Sequence, residues 1–364
     1  FEMGDALGLY AVNYTDGNQT PGTLQTEGNQ ADHVKYILSE NGWNPVRPVY
    51  YKDVNTNVDI YTFYPYAEPK SVTEYTFEVS KDQSTAKKNG ILGGYEASDF
   101  LWGKVENVTP TESKIRVTLE HRMSCAQVIL TEGDGFEEGV FESLEKSVMV
   151  SGTTRKAKID LATGIVTPLG SAQSTGIVMA PQSDGSFRAI VVPQSIEANT
   201  VMFTITIDGI PYHFKKDTDF GYIANKLNTF TIRVTKKEHT GEYEFSLSGT
   251  EITDWKEDLN IHEGEARQYY CVTVSNPGTL GRLIKADNKN PDKIRNLKVS
   301  GTISDSDFYF MRDSMEILEA VNLKESKVLY TKIDKTETKT YEDIIPERAF
   351  YQKKTLFYFT FPEV

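Results

Sequence analysis

Residues 200–214 read TVMFTITIDGIPYHF, and this stretch decides the fold class. Every second residue from 201 to 207 is apolar, which is the period of a β-strand with one buried face. Asp208-Gly209 follows, and the alternation then continues from 210 to 214. An Asp-Gly pair between two such runs is typical of a tight hairpin, because the turn needs positive φ at its central residues. The stretch therefore predicts two antiparallel strands joined at 208–209.

Strands of this kind recur over much of the chain. Alternating apolar residues occur in five further runs: 7–11, 34–38, 58–62, 157–161 and 230–234. Turn-forming clusters such as 183–186 separate them. The 20 Tyr and 18 Phe among the 364 residues also suit half-buried strands. The pattern predicts a mainly β protein made of β-sandwiches, and the length favours two or three domains.

The run Ile115–Leu130 is the predicted long first strand of a second sandwich, with the two sandwiches meeting near residues 110–118. Its apolar phase changes within Ser124–Ala126, so the later residues would point to the wrong face without a correction. We therefore predict a β-bulge or bend near that position. His121 lies on the apolar phase, and no residue with metal-ligand spacing accompanies it. It is interpreted as a hydrogen-bonded residue of the core or edge.

A different pattern begins after Trp255. Residues 257–267 are polar and charged and are interpreted as a linker. The spacing L-x-x-L-x-L then appears at Ile294, Leu318 and Leu356. The first two copies are separated by a distance typical of leucine-rich repeats, about 20–29 residues. The C-terminal part of the chain is therefore interpreted as a small α/β repeat module.

The repeat interpretation predicts its own architecture. Residues 294–299, 321–323 and 359–361 should lie side by side as parallel strands, because one repeat cannot bury its apolar face alone. Ser304-x-x-Asp307 resembles a capping box, so a helix is expected at about 304–320. That helix should pack four apolar residues behind the strands: Phe308, Met311, Met315 and Leu318. Residues 268–290 would supply the cap of the module.

Composition excludes several classes of partner. The net charge of −13 argues against nucleic acid, since non-specific affinity for phosphates comes largely from Lys and Arg. An anionic membrane is disfavoured for the same reason. No apolar run approaches the roughly 18–20 residues of a membrane span. Cys125 and Cys271 lie far apart in the sequence; two free, buried thiols are the favoured interpretation, and one long-range disulfide is the alternative.

No catalytic, cofactor-binding or metal-ligating residue is predicted. The sequence lacks nucleophile-elbow, zincin, P-loop and dinucleotide motifs, and its five His are isolated from one another. The acidic stretch Glu132–Glu138 lacks the ligand ladder of a calcium loop. Aromatic residues 61–66 and Trp43 would suit a sugar platform, but a core strand with alternating rings is the favoured interpretation. The sequence predicts a binding or structural protein and not an enzyme.

An ordered set of segments resembles the fimbrillin-like (type V pilin-like) family. The segments are Gly4–Tyr10, Asn41–Trp43, Pro48–Tyr51, Val58–Tyr66, Asp99–Gly103, Leu119–Met123 and Thr250–Lys256. The resemblance covers about residues 1–258 and implies two tandem transthyretin-like β-sandwiches, 1–114 and 115–258. It also implies a lipoprotein whose only membrane contact is a lipid anchor upstream of Phe1. Polymerising members assemble by donor-strand exchange, so we expect assembly or anchoring at the N-terminal edge.

The remaining predicted domain, 259–364, resembles the start of a BspA-type leucine-rich repeat protein over about residues 268–364. The segments are Val272–Val274, Gly278–Leu280, Leu297–Ile303 and Ile345–Phe350 with Leu356. Such proteins are surface adhesins. Both resemblances imply a non-enzymatic adhesin or pilus-associated subunit, tip or accessory, at the extracellular or outer-membrane surface. The expected partners are pilus subunits, host matrix proteins or other bacterial surfaces.

Two alternatives belong to other functional classes. The first is a glycan-binding surface lipoprotein of a nutrient-uptake system. The second is an enzyme whose paired carboxylates are brought together by the fold, since such spacing cannot be read from a sequence.

Overall fold

The structure is a computed structural model that describes residues 1–110, 115–171, 176–237, 241–255, 263–264, 267–334, 337–342 and 344–362, with the backbone alone for 263–264, 331–334 and 337–339. Its chain divides into two compact units. Unit 1 comprises Phe1–Arg47, Val58–Val108 and Ile115–Gly264. Unit 2 comprises Pro48–Asn57, Thr109–Lys114 and Glu265–Val364.

Unit 1 is built mainly of short strands. In chain order they are β1 (Ala6–Asn13), β2 (Ala31–Ser39), β3 (Gly42–Pro45), β4 (Val58–Tyr64), β5 (Tyr75–Glu78), β6 (Leu101–Val108), β7 (Ile115–Arg116), β8 (Glu120–His121), β9 (Ser124–Glu132), β10 (Lys146–Val150), β11 (Lys156–Asp160), β12 (Ile165–Leu169), β13 (Ile177–Val178), β14 (Ala180–Pro181), β15 (Phe187–Val191), β16 (Gln194–Ile196), β17 (Val201–Ile207), β18 (Ile210–Lys215), β19 (Phe220–Tyr222), β20 (Lys226–Lys236), β21 (Tyr243–Asp254) and β22 (Glu263–Gly264). Two short helices, α1 (Gly94–Ser98) and α2 (Val140–Ser143), lie between strands.

The strands of unit 1 form several open sheets. The largest has the order β7-β22-β3-β2-β1-β4-β6-β8. A five-stranded sheet has the order β14-β15-β9-β20-β21, and a four-stranded sheet has the order β13-β10-β17-β18. Two smaller sheets are β12-β11-β5 and β16-β19. The five further runs predicted as strands fall in strands β1, β2, β4, β11 and β20, apart from Leu161, which follows the end of β11.

The hairpin predicted at 208–209 is confirmed. β17 and β18 pair antiparallel, and φ is positive at both turn residues, 50° at Asp208 and 80° at Gly209. The apolar face predicted for β17 is buried, with Phe203, Ile205 and Ile207 at 0% exposure. These side chains join a buried cluster that includes residues from Tyr10 to Val234.

The predicted single strand from Ile115 to Leu130 is wrong. This segment forms three strands instead, β7, β8 and β9. β8 pairs with β6 in the eight-stranded sheet, whereas β9 lies in the five-stranded sheet. A bend at Met123 accompanies the transfer, and the pairing of β9 with β15 and β20 is regular from Ser124 onward. The bend thus lies just before the predicted position, and the change of apolar phase at Cys125 and Ala126 needs no bulge because the first five residues of β9 are all buried.

The two predicted sandwiches are not strictly successive in the sequence. β11 pairs with both β12 and β5, so residues 156–169 from the predicted second sandwich extend a strand of the first. The buried cluster of unit 1 also contains residues from both sides of position 114. The boundaries 1–114, 115–258 and 259–364 therefore stay predictions, and the predicted linker lies largely outside the described residues.

Unit 2 contains a sheet with two helices. Its elements in chain order are β23 (Tyr270–Val274), α3 (Leu280–Ala286), a 3-10 helix (Pro291–Lys293), β24 (Asn296–Ser304), α4 (Asp305–Ser314), β25 (Ala320–Asp334), β26 (Glu337–Glu342) and β27 (Tyr358–Thr360). β23, β24 and β25 lie side by side and are parallel, and β27 pairs parallel with β25. β26 pairs antiparallel with the far end of β25.

The predicted strand and helix arrangement of this unit is confirmed in its main features. Leu297 lies opposite Val321, and Val321 lies opposite Phe359. The helix begins on the predicted capping box at Ser304. It ends at Ser314, earlier than predicted, and the next residue, Met315, has non-helical φ and ψ. The four side chains predicted to pack behind the strands (Phe308, Met311, Met315 and Leu318) are all at 0% exposure.

The side chain of Asp307 connects the N-terminal ends of the two α-helices of unit 2, α3 and α4. Asp307 is 1% exposed, and its carboxylate accepts hydrogen bonds from three backbone N–H groups. The donors are Ser304 at 2.9 Å, Gly278 at 2.6 Å and Leu280 at 2.9 Å. The first donor belongs to the cap of α4, and the other two precede or begin α3. Asp307 therefore caps its own helix and holds the start of the preceding one.

Residues Pro48–Asn57, here called segment 48–57, connect β3 to β4 and belong to unit 2. Tyr50 is 5% exposed and packs in one cluster with Tyr269, Ala320 and Tyr358. The Arg267 N–H donates to Val49 O at 2.9 Å. Lys298 Nζ donates to Lys52 O at 3.2 Å. The segment is therefore held by side chains and backbone groups along its length.

Candidate functional site

The longest edge strand of unit 1 is β21. It pairs antiparallel with β20 along its length, through eleven of its twelve residues. Among the described residues no strand pairs with its other side. An unpaired strand edge presents a row of backbone N–H and C=O groups to which another chain can add as a further strand. β21 is therefore the first candidate for a binding site.

The inner face of β21 carries apolar residues that are not covered. Leu247 lies opposite Ile232, and Ile252 lies opposite Asn228, in the register of the two strands. Directly opposed residues point to the same face of a sheet, and both β20 residues are 0% exposed. Leu247 is nevertheless 37% exposed, and Ile252 is 48% exposed. The buried face of the sheet therefore continues onto β21 without the cover that β20 has.

The facing sheet ends at β18, and the two edges meet at one end only. The ring of Tyr212 on β18 lies 5.7 Å from Tyr243 and 5.2 Å from Phe245, between centroids. Both β21 rings are half-buried there, whereas residues 246–248 and 250–254 are exposed. The aromatic contact closes one end of the edge and leaves the part from Leu247 to Ile252 open.

The edge has few of the features that protect exposed strands. β21 contains no Lys, Arg or Pro, residues that commonly prevent edge-to-edge pairing. Two ion pairs lie at its ends, Lys237 with Glu244 at 3.7 Å and Lys226 with Asp254. A register shift beside Gly249 introduces one irregularity. The middle of the strand is left with an accessible backbone and short polar side chains.

Aromatic stacking holds the C-terminal end of β21. The Trp255 N–H donates to Asn225 O at 3.1 Å. Its indole stacks on the His121 ring with centroids 3.8 Å apart and planes 3° from parallel. His121 Nδ1 is also 2.7 Å from Asp99 Oδ1. His121 is thus a partly buried, hydrogen-bonded edge residue, as predicted.

The Asp99–His121 pair lines a pocket of about 320 Å³, together with Tyr64, Tyr95 and Glu96. An Asp-His pair can orient an imidazole for proton transfer, but this imidazole is stacked flat under Trp255. In the described parts of the chain no three His, Cys, Asp or Glu side chains are grouped as metal ligands. The arrangement therefore orders the end of β21, and it offers no assembled metal centre among those residues.

The aromatic residues considered for a sugar platform are mostly buried. Trp43 and Tyr61 are each 5% exposed, Tyr64 is 4% exposed, and Phe63 is 1% exposed. They belong to β3 and β4, in the eight-stranded sheet. The interpretation of these residues as core aromatics is confirmed, and these four rings do not form an open platform.

The N-terminal strand does not provide the expected edge. β1 is paired on one side with β2 and on the other with β4. β1 is therefore not an edge strand, and the expectation that assembly or anchoring acts at the N-terminal edge stays a prediction. The sequence reasoning missed β21. Its own residues gave no signal of an edge, because Leu247 stands between two serines much as apolar and polar residues alternate in a paired strand.

The two cysteines differ in environment. Cys125 is buried in β9, and burial raises its pKa to about 12. Cys271 is also a free thiol but is exposed in β23, which corrects the prediction that both thiols are buried. Burial of part of the side chain raises the pKa of Cys271 as well. Cys271 faces outward because the alternate positions of β23, such as Val274, face the core.

No helix in the described part of the chain is long and apolar enough to cross a membrane.

A family model described as fimbrillin-like matches residues 1–255. Among solved structures, a candidate cell adhesion protein from Bacteroides ovatus has a TM-score of 0.52 and 15% identity, over 70% of this chain and 89% of that chain. A candidate cell adhesion protein from Bacteroides uniformis has a TM-score of 0.46 and 21% identity, over 70% and 93% of the two chains.

The tip fimbrial protein Mfa3 of Porphyromonas gingivalis, with a C-terminal truncation, has a TM-score of 0.37 and 10% identity, over 69% of this chain and 94% of that chain. No curated protein matches the chain. At these identities the Bacteroides ovatus structure supports the fold alone. The family model spans most of the 364 residues, and the chain therefore belongs to the fimbrillin-like family.

Proposed function

We propose that this chain is a non-enzymatic bacterial cell-surface adhesin or pilus-associated subunit that binds other proteins by strand addition to β21. The observation that carries the proposal is the uncovered inner face of this edge strand, at Leu247 and Ile252. An added strand would pair with the free backbone groups and place its alternate side chains over these two residues. Membership of the fimbrillin-like family supports protein partners such as pilus subunits.

The test uses purified fimbrillin-like subunits as partners and measures their affinity for the immobilised chain. A double variant, Leu247→Lys and Ile252→Lys, should weaken binding at least about tenfold, because two ammonium groups would have to be desolvated under the added strand. Ile165→Lys is the matched control, since Ile165 is 62% exposed on another edge strand, β12. Amide hydrogen exchange in β21 should slow on binding.

Two results would contradict the proposal. One is equal loss of affinity in the β21 variant and in the Ile165 control, since the edge would then have no special role. The other is a complex in which the exchange of β21 amides is unchanged. The alternative of a glycan-binding lipoprotein lacks support from the aromatic residues of β3 and β4, which are buried.

Further parts of the proposal concern organisation and location. Unit 2 acts as a leucine-rich-repeat-like module, for which the support is its four parallel strands with α3 and α4. Residues 1–258 are organised as two transthyretin-like sandwiches. β11 and β12, from the second sandwich in sequence, extend the sheet that contains β5 of the first. The protein is carried at the outer surface on a lipid anchor. Mass spectrometry of the protein released from bacterial membranes would detect or exclude a lipidated cysteine.

A further inference from the structure

Unit 2 contains a pocket of about 690 Å³ at the amino ends of β23 and β24. Residues 268–271 form one wall, and the segment from Asp287 to Asn296, between α3 and β24, forms the other. The volume lies within the range of about 300–1,000 Å³ typical of ligand sites. We call it the Lys289 pocket, and it is separate in sequence from β21.

Positive charge predominates around the Lys289 pocket. Three basic side chains line it: Lys289, Lys293 and Arg295. Within the described part of the chain no carboxylate is within ion-pairing distance of either lysine. Arg295 contacts Glu319, but Glu319 also pairs with Arg267 at 3.2 Å, so one carboxylate is shared by two guanidinium groups. A chain with a net charge of −13 thus has a local excess of cations here.

The pocket has little negative charge of its own. Asp287 is the one carboxylate among the described residues that line it. Its Oδ2 accepts a hydrogen bond from the Tyr270 hydroxyl at 2.8 Å. Asn290 uses its Oδ1 to accept the N–H of Asp292 at 3.1 Å, which leaves its NH₂ group as the part available to a ligand. The available side-chain groups are therefore mainly donors and cations.

We propose that the Lys289 pocket binds the carboxylates of an acidic segment of a partner protein. Carboxylates on a flexible segment suit the two separate exposed lysines, Lys289 and Lys293, since each ammonium group acts as a point charge. A phosphate site would instead use the N-terminus of a helix, whereas α3 contributes its C-terminal end at Asp287, where the helix dipole is negative. That dipole weakens the site for a compact dianion more than for spaced monoanions.

The test measures the anisotropy of a fluorescein-labelled peptide of alternating Glu and Ser against the full chain. The double variant Lys289→Gln and Lys293→Gln should bind about fivefold more weakly at low ionic strength, a loss typical of two exposed ion pairs. Lys285→Gln is the matched control, because Lys285 is exposed on α3 but does not line the pocket. The same peptide with Gln in place of Glu should not bind.

Three outcomes would overturn the proposal. The first is absence of binding by the Glu peptide. The second is an equal effect of the Lys285 control, since binding would then reflect general attraction. The third is tighter binding of a sulfated oligosaccharide with the same dependence on Lys289 and Lys293, which would assign the pocket to a saccharide. The Leu247 and Ile252 variant should leave peptide binding unchanged, so this proposal and the β21 proposal can fail separately.

Discussion

The ring of Tyr50 stacks on the ring of Tyr269, with centroids 4.1 Å apart and planes 19° from parallel. The ring of Tyr358 also lies against Tyr50, at 5.5 Å between centroids. Tyr269 directly precedes β23, and Tyr358 begins β27, two strands that are separated in the sheet by β24 and β25. Tyr50 is distant in the sequence from these strands, and its ring thus connects segment 48–57 to residues at the starts of β23, β25 and β27.

Replacement of Tyr50 by Ala should destabilise unit 2 strongly. Truncation of a buried aromatic residue to Ala typically costs about 3–5 kcal/mol, because the contacts of the ring are lost and a cavity remains. Amide hydrogen exchange should therefore accelerate in β23 and β27, with little change in β17. Tyr50→Phe keeps the stack and loses the hydroxyl contact with Asn296 at 3.4 Å, so its effect should be about 1 kcal/mol. Equal effects of the two variants would contradict the role of the stack.

Replacement of Asp307 by Ala should lower the free energy of unfolding of unit 2 by about 3 kcal/mol or more. Three backbone N–H groups would lose their acceptor, and each unsatisfied buried donor costs about 1–3 kcal/mol, some of which water recovers. Urea unfolding followed by circular dichroism measures the loss. Asp305→Ala is the control, since Asp305 is a partly exposed acidic residue of the same first helical turn. A similar loss of stability in the control would show that Asp307 acts only through the interaction of its negative charge with the helix dipole.

One of the two thiols should react with Ellman's reagent in the folded protein. Cys271 is exposed, whereas Cys125 is buried and has its pKa raised to about 12. Only the thiolate is nucleophilic, and the pKa of Cys271 is raised as well, so its rate should rise with pH over a higher range than that of a free cysteine peptide. Cys271→Ser should abolish the folded-state reaction. Two fast thiols, or a fast reaction that survives in this variant, would contradict the assignment.

Asp53 should make segment 48–57 sensitive to acid. Burial raises the pKa of Asp53, but hydrogen bonds from Asn55 and Thr56 outweigh this effect, so the pKa lies below its ordinary value. The donors are the Asn55 N–H at 2.8 Å, the Thr56 N–H at 2.6 Å and the Thr56 hydroxyl at 2.8 Å. A carboxyl group whose pKa is lowered by folding stabilises the folded state above its unfolded pKa, and this contribution is lost as pH falls through the folded pKa.

The corresponding variant is Asp53→Asn. It should lower the melting temperature of unit 2 at neutral pH, where the wild-type carboxylate is charged. The difference between the two proteins should shrink below the unfolded pKa of about 4 and disappear at still lower pH. Differential scanning calorimetry over this pH range measures it. A difference that does not change with pH would show that Asp53 acts through shape and not through its charge.

Local patterns predicted much of the fold. The Asp208-Gly209 hairpin and the capping box at Ser304 depend on neighbouring residues, so both were visible in the sequence. The parallel register of Leu297, Val321 and Phe359 followed from the repeat spacing. Each of these features is decided within one or two elements.

The errors concern partners that are distant in the sequence. The segment from Ile115 to Leu130 continues as three strands because β8 and β9 find partners in different sheets, β6 in one and β20 in the other. The candidate site was missed for a related reason. Whether β21 is an edge depends on which strands lie beside it, and the alternation of its own residues carries no such information. Burial of Cys125 and exposure of Cys271 likewise depend on which face of each strand is covered.

The pairing of β11 with β5 also has a consequence for the order in which the chain matures during synthesis. The N-terminal part emerges first, but β5 lacks this neighbour until residues 156–160 have left the ribosome. Until then Phe77 and Val79, which are buried in the finished fold, have incomplete cover, and a strand edge is open to other nascent chains. A fragment that stops before Lys156 keeps this immature state permanently. Such fragments should aggregate, whereas a fragment that includes β12 should have its three-stranded sheet complete.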